Sequence, residues 1–337
     1  MTNPETIRED EEQQGLRRAK RRQAWTRYWS LGPLHSLGTT FAGSYADSIG
    51  TFWQREFLGC AADTRILDIG CGNGPLADIL LKLHPESGPS ICGVDLANPA
   101  PAWWSKLPLA QRGRVEFRGG VAVESLPFPD AAFDLVASQF GIEYSDLGLS
   151  LPEVLRVLKP GGRIAFMVHH ADSLPVIVSR HELRHLDFLE AEDGFLQQAA
   201  AMLPYMARLA TMEGRVALQA DNSAAEVRRR FDAAKAALDE RAGTEPIPDV
   251  LTETQSAVAE AFRSAAAAGD VASGRRVLRV CRTRLEDSRL RLQDLVSSGL
   301  SEARVTALLA ALRRPDVTSE AVPLTVNEHV FGWAIRA

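Results

Sequence analysis

Cysteine is scarce. Cys60, Cys71, Cys92 and Cys281 are four thiols in 337 residues, with no C-x-x-C pair and no regular spacing. That excludes a disulfide scaffold and fits a reducing compartment. Long apolar runs are missing too: no segment approaches the roughly 18 continuous apolar residues of a membrane span. Cationic excess is absent, since 38 Lys and Arg stand against 43 Asp and Glu, for a net charge of −5 and a pI near 5.9. Such a chain has no overall attraction to nucleic-acid phosphates or anionic lipid. The N-terminus opens on a polar, acidic run, Glu5 to Glu12, rather than the basic start and apolar stretch of a signal peptide. A cytoplasmic protein with no membrane and no DNA partner is expected.

What is present is ordinary for a globular enzyme, 45% apolar and 24% charged, at a length that suits a large domain or a core with an addition. Aromatic residues crowd ahead of the first strand signal: Trp25, Tyr28, Trp29, Phe41, Tyr45, Phe52, Trp53 and Phe57. They require burial, either as helices packed on the core or as a lid over a pocket. From Arg65 to Arg163 short apolar runs (Ile66–Ile69, Ile91–Val94, Phe133–Val136, then Ile164–Val168) alternate with amphipathic segments such as Leu76–Leu83. That alternation predicts a doubly wound α/β fold with a parallel sheet.

After Pro175 strand signals stop for about 140 residues of Ala-, Leu- and Arg-rich helical sequence. Leu278, Cys281, Leu285, Ser288, Leu292 and Leu295 repeat there at spacings of 3 and 4. This seam suits packing within a helical hairpin or a homodimer contact. Two apolar runs, Ala321–Val326 and His329–Ile335, then flank Asn327-Glu328 as a hairpin. The expected division is a helical lid over 1–60, an α/β core over 61–178, a helical insertion over 179–315 and a completing hairpin over 316–337.

The strongest local signal is Arg65-Ile66-Leu67-Asp68-Ile69-Gly70-Cys71-Gly72-Asn73-Gly74, a buried strand running into a glycine turn. A dinucleotide fingerprint would read G-x-G-x-x-G, whereas here the spacing is G-x-G-x-G and Pro75 follows. Asp68 at the strand end would oppose a pyrophosphate and suits an ammonium or sulfonium. Asp95 closes the second strand, where a carboxylate can accept from both ribose hydroxyls.

With these residues the chain resembles the class I S-adenosylmethionine-dependent methyltransferases, close to the subgroup acting on quinones, lipids and small metabolites. The resemblance is carried by Arg65–Gly74, Ile91–Asn98, Glu124–Asp146 and Val157–Met167. It implies a Rossmann-like seven-stranded sheet with an antiparallel last strand, and S-adenosylmethionine as cofactor. It implies that Asp68, Gly70, Cys71, Gly72 and Gly74 surround the methionine part. Asp95 would hold the ribose, Leu96, Ala122 and Val123 would lie near the adenine, and Gln139 near the methionine end. One position departs: the family often has an acidic residue where this chain has Ala122. Losing one hydrogen bond, about 1 kcal/mol, would weaken binding several-fold.

The methyl of a sulfonium is already electrophilic, so the protein must align an acceptor behind it, exclude water and, for an oxygen or nitrogen acceptor, take a proton. His169, His170, Glu143 and Tyr144, near the carboxyl ends of the strands, are the candidates, with a histidine as the natural base. His181 and His185 sit at i, i+4, but no zinc spacing emerges and no metal is expected. Ser138-Gln139-Phe140-Gly141 lacks the Asn/Asp-Pro-Pro-aromatic box associated with methylation of nucleic-acid bases. The expected activity is methyl transfer to oxygen or nitrogen of a small-molecule acceptor, with a peptide acceptor and a non-catalytic scaffold as alternatives.

Overall fold

The computed structural model describes residues 4–36, 47–315 and 317–337, so Phe41 and Tyr45 of the aromatic stretch lie outside it. The chain forms two compact units, Met1–Val176 with Asp294–Ala337, and Ile177–Gln293. The first contains α1 (Pro4–Ser30), α2 (Asp47–Leu58), β1 (Arg65–Ile69), α3 (Pro75–Leu83) and β2 (Ser90–Asp95). There follow the short α4 (Leu109–Arg112), β3 (Val115–Gly119), β4 (Phe133–Gln139), α5 (Leu147–Val157) and β5 (Leu158–His169). Next come α6 (Leu174–Glu190), α7 (Phe195–Arg208), α8 (Met212–Gln219), α9 (Asn222–Thr244), α10 (Asp249–Ala268) and α11 (Val271–Ser298). After these α12 (Glu302–Ala311), β6 (Glu320–Val326) and β7 (His329–Arg336) return to the first unit.

The seven strands form one sheet in the order β3-β2-β1-β4-β5-β7-β6. β1 to β5 pair in parallel, and β7 runs antiparallel to both β5 and β6. This is the expected Rossmann-like sheet. Its strands read as continuous apolar runs because both faces are covered. Along β5, Ala165 and Met167 join one core cluster while Ile164, Phe166 and Val168 join the other, the two-residue period of a strand. The first cluster includes Trp53 and Phe57 of α2 with Leu76 and Leu80 of α3, and the second includes Leu151 and Val154 of α5. Asn327 and Glu328 turn the final hairpin with φ of 49° and 67°. β3 is the strand whose run the sequence reading did not mark.

Glu56 of α2, buried, clamps the sheet from one side. Its Oε1 accepts from Arg336 Nε at 2.6 Å and its Oε2 from Arg163 Nη1 at 3.1 Å.

The boundary expected at residue 315 moves. Val305, Leu308 and Leu312 belong to the sheet's second cluster, so residues from Asp294 onward pack with the α/β unit. The helical unit is shorter than the 179–315 span, ending at Gln293. Its core joins Leu186, Phe195, Leu203, Val258, Leu278 and Leu285. Leu278, Cys281 and Leu285 of the heptad seam are therefore buried among the unit's own residues. Asp221 starts α9 by accepting from Ser223 and Ala224 N–H, and Gly269, with φ of 68°, ends α10.

Candidate active site

The site lies at the carboxyl ends of β1, β2 and β4, where an open α/β sheet forms its crevice. The chain leaves β1 through Gly70, Gly72 and Gly74, all left-handed, with φ of 68°, 48° and 78°. A Cβ on Gly70 would come within 2.7 Å of Gly141 Cα, so the turns after β1 and β4 approach at a distance only two glycines allow. At Gly72 a Cβ would meet the indole of Trp29 at 2.6 Å, so the end of α1 rests directly on the turn.

Asn73 holds it there. The buried Asn73 amide donates to the carbonyls of Trp29 (2.9 Å) and Pro33 (2.7 Å) and accepts from Ala100 N–H at 2.8 Å, while Trp103 Nε1 donates to the Asn73 carbonyl at 2.7 Å. The sequence reading had no signal for this role, because an Asn inside a glycine turn is unremarkable by type.

Asp95 fixes the other side of the turn, accepting from Gly72 N–H at 2.9 Å and from Ala97 N–H at 2.8 Å. Burial raises its carboxyl above the usual range, opposed by those two bonds. Asp68, 2% exposed, has no hydrogen bond to its carboxyl among the described residues. Burial, and then the neighbouring Asp95, push it well above the usual carboxylate range. Burial likewise pushes the Cys71 thiol up, followed by Asp95 and Asp68. A buried acid without a hydrogen-bond donor, beside a second carboxylate, forms a place that a cationic ligand would stabilise.

Gln139 ends β4 with its Oε1 accepting from the indole N–H of Trp53, which leaves Nε2 buried and without a partner. That amide is a pair of donors awaiting an acceptor. The sequence reading placed Gln139 near the ligand, but nothing in motif spacing marks Trp53 as the residue that orients it.

One pocket gathers Gly70, Cys71, Asp95 and Leu96 with Ala122, Val123 and Gln139. Of the residues expected at the cofactor, Asp68 on β1 and Gly72 and Gly74 in the turn lie beside it rather than on its wall. α1 and the segment after it supply Arg21, Arg22, Trp25, Trp29 and His35, so two residues of the aromatic stretch, Trp25 and Trp29, line the cavity. Trp25 stacks on Trp29 at 5.8 Å and meets Tyr144 edge-on at 6.1 Å. Arg21 pairs with Asp294 at 2.6 Å, and burial raises the Asp294 carboxyl against the pull of Arg21. Asp294 was not expected here, because its helix reads in sequence as part of the insertion.

The four candidate catalytic residues separate. Tyr144 lines the pocket, and burial followed by Glu143 pushes its hydroxyl well above the usual range. Glu143 and His169, side chains fully buried, lie behind that wall and share a 2.8 Å contact between Oε1 and Nδ1. His170 faces elsewhere: its ring stacks on Trp333 at 4.8 Å and its Nδ1 accepts from Asp172 N–H at 2.9 Å. Adjacent residues at a strand end point to opposite faces, so only one of the two histidines joins the site. His185 is buried in the helical unit, with Arg241 donating to Nδ1 at 3.0 Å and Nε2 at 3.1 Å from the Pro246 carbonyl.

The family model of a methyltransferase domain matches residues 67–166. A demethylmenaquinone methyltransferase of Listeria monocytogenes is 32% identical over 177 residues, covering 48% of this chain and 73% of that protein. The chain belongs to the methyltransferase-domain family. Two further methyltransferase relatives align over shorter spans. The demethylmenaquinone methyltransferase of Thermus thermophilus is 38% identical, over 34% of this chain and 53% of that protein. The ubiquinone/menaquinone biosynthesis C-methyltransferase of Geobacter sulfurreducens is 34% identical, over 34% of this chain and 46% of that protein. The chain thus spans about half the length of these two methyltransferases. The matched residues of the methyltransferase domain run from β1 to β5 and contain Asp68, Asp95, Gln139 and Glu143. No described helix is long and apolar enough to cross a membrane.

Proposed function

We propose that the protein transfers a methyl group from S-adenosylmethionine to a small, flat, hydroxylated ring of the quinol kind. The observation that carries this reading is the pairing of buried Asp68 with half-buried Asp95 beside a glycine turn, which a ligand with a sulfonium and an ammonium would neutralise. S-adenosylmethionine supplies an electrophilic methyl when bound. Asp95 retains carboxylate lone pairs for ribose hydroxyls, and the free amide donors of Gln139 suit a carboxylate. Trp29, clasped through Asn73, covers the turn and keeps water from it.

For the acceptor, the aromatic wall of Trp25, Trp29, Phe140 and Tyr144 fits the face of a planar ring. Relatives named for menaquinone methylation support the same class of acceptor. Loss of a ring hydroxyl proton makes the oxygen nucleophilic, and through conjugation a ring carbon as well. Oxygen or nitrogen is the acceptor atom expected from the sequence. The relative named a C-methyltransferase makes ring carbon the second reading.

Calorimetric titration with S-adenosylmethionine, S-adenosylhomocysteine and NADH tests the cofactor. Micromolar binding of the two adenosyl ligands and none of NADH is the expected result; no adenosyl binding would leave a scaffold. Methyl-labelled cofactor incubated with reduced hydroxylated naphthoquinones should then yield a monomethylated product whose carbon spectrum assigns the atom. Label appearing only in added peptides would replace the ring acceptor by a peptide one.

A further inference from the structure

We infer that His169 takes the acceptor's proton through Nε2, and that Glu143 is the positioning residue that fixes this nitrogen as the basic one. The inference rests on the methyl-transfer reading above. Glu143 Oε1 lies 3.0 Å from the His169 backbone nitrogen and 2.8 Å from Nδ1. The backbone N–H can only donate, so this oxygen is an acceptor, and Nδ1 carries a proton toward it. A neutral imidazole protonated at Nδ1 bears its lone pair on Nε2. His169 Nε2 is buried with no hydrogen-bond partner among the described residues, and so is Glu143 Oε2.

A buried histidine that serves packing alone usually has both ring nitrogens bonded. His185, equally buried, has partners at both ring nitrogens. The His169 ring stacks on Phe140 at 4.2 Å and meets Tyr144 edge-on at 6.1 Å, and both of those rings line the pocket. The imidazole therefore stands one ring behind the acceptor wall. Phe140 holds that position with φ of 51°, a left-handed conformation costly for a bulky residue. For an acceptor in the pocket to reach Nε2, this wall of rings has to part.

The step balances as follows. The acceptor hydroxyl gives its proton to Nε2, and its electron pair, on oxygen or through the ring on carbon, forms the new bond to the methyl carbon. The carbon–sulfur bond breaks, with its pair left on sulfur as the neutral thioether. The imidazolium is held by the Glu143 carboxylate and returns its proton to solvent after product leaves. The titratable groups facing the imidazole are Glu143 and Tyr144, with Asp294 and Arg21 behind Tyr144.

The test uses the full chain, with His169→Ala, Glu143→Gln and Glu143→Asp assayed on an ordinary hydroquinone and on a nitro-substituted one already ionised at the assay pH. On the ordinary acceptor His169→Ala should lower kcat about a hundredfold or more, with cofactor Kd within about twofold of the parent. The ionised acceptor should recover most of that loss. Glu143→Gln keeps the hydrogen bonds but lacks the charge, and should cut kcat about tenfold and shift the acidic limb of the pH–rate profile, with partial rescue in Glu143→Asp. Unchanged kcat in His169→Ala, or equal losses on both acceptors, would overturn the assignment. If the parent protein methylates neither acceptor while binding the cofactor, the quinol reading itself fails and the inference falls with it. Glu143→Gln keeps the test decisive should His169→Ala not fold.

Discussion

Two fully buried histidines divide the molecule's chemistry. His185, in the helical unit, is saturated by Arg241 and the Pro246 carbonyl, whereas His169, at the end of β5, is held from one side by Glu143 and bare on the other. Around His185 the polar groups close on one another, as with Thr254, whose hydroxyl donates to the Val250 carbonyl. Around His169 and the glycine turn they do not: Gln139 Nε2, Glu143 Oε2 and the Asp68 carboxyl have no hydrogen-bond partner among the described residues. Unmade hydrogen bonds are costly, so groups left unmatched beside a pocket point to a ligand that would match them.

The sharpest way to break this contrast is to remove the acid that both anchors the glycine turn and faces the pocket. Asp95→Ala deletes the anchor of Gly72 and the proposed ribose acceptor together, and should weaken cofactor binding by about 3 kcal/mol, more than a hundredfold, in a calorimetric titration. A change under threefold would detach Asp95 from the cofactor. His185→Leu tests the other side. It strands Arg241 and a buried carbonyl, and should cost about 2 kcal/mol in denaturant unfolding while leaving cofactor Kd and kcat near the parent values.

Asp68 links ionisation to stability. Its folded-state pKa is raised, so between the usual carboxylate pKa and that higher value the folded chain keeps a proton which the unfolded chain has lost. Stability of the ligand-free protein falls as pH rises through that window. Asp68→Asn should remove this fall, giving a higher Tm than the parent at about pH 7 and a gap that closes toward about pH 4, together with weaker cofactor binding. Parallel melting curves across that range would show that Asp68 finds compensation in the ligand-free state. The smallest effect belongs to Ala122→Asp, which places a carboxylate on the pocket wall and should change cofactor affinity only several-fold.

Much of the first unit was legible because local chemistry and global topology agree there. The glycine turn, Asp68 and Asp95 announce themselves by type and spacing, and the final hairpin by two apolar runs around Asn327-Glu328. The end of the helical unit was not, since Val305, Leu308 and Leu312 repeat at the same helical period as their neighbours, and periodicity does not say which core a stripe joins. Asn73, Trp53 and Asp294 act through partners distant in sequence, so no window around them carries the signal. His169 and His170 are alike in sequence and differ only in which side of the strand end each one faces.

The bridge between His170 and Leu300 has a consequence for how the chain tolerates change. Leu300 N–H donates to the His169 carbonyl at 2.8 Å, Ala171 N–H donates to the Leu300 carbonyl at 3.1 Å, and Trp333 Nε1 donates to that same carbonyl at 2.9 Å. The departure and return of an excursion of roughly 130 residues are thus pinned to each other beside the proposed proton acceptor, and doubling such a loop adds only about 0.6 kcal/mol of closure entropy. Changes of length within the helical segment should therefore leave the backbone of His169 in place, because its position is set by these local hydrogen bonds.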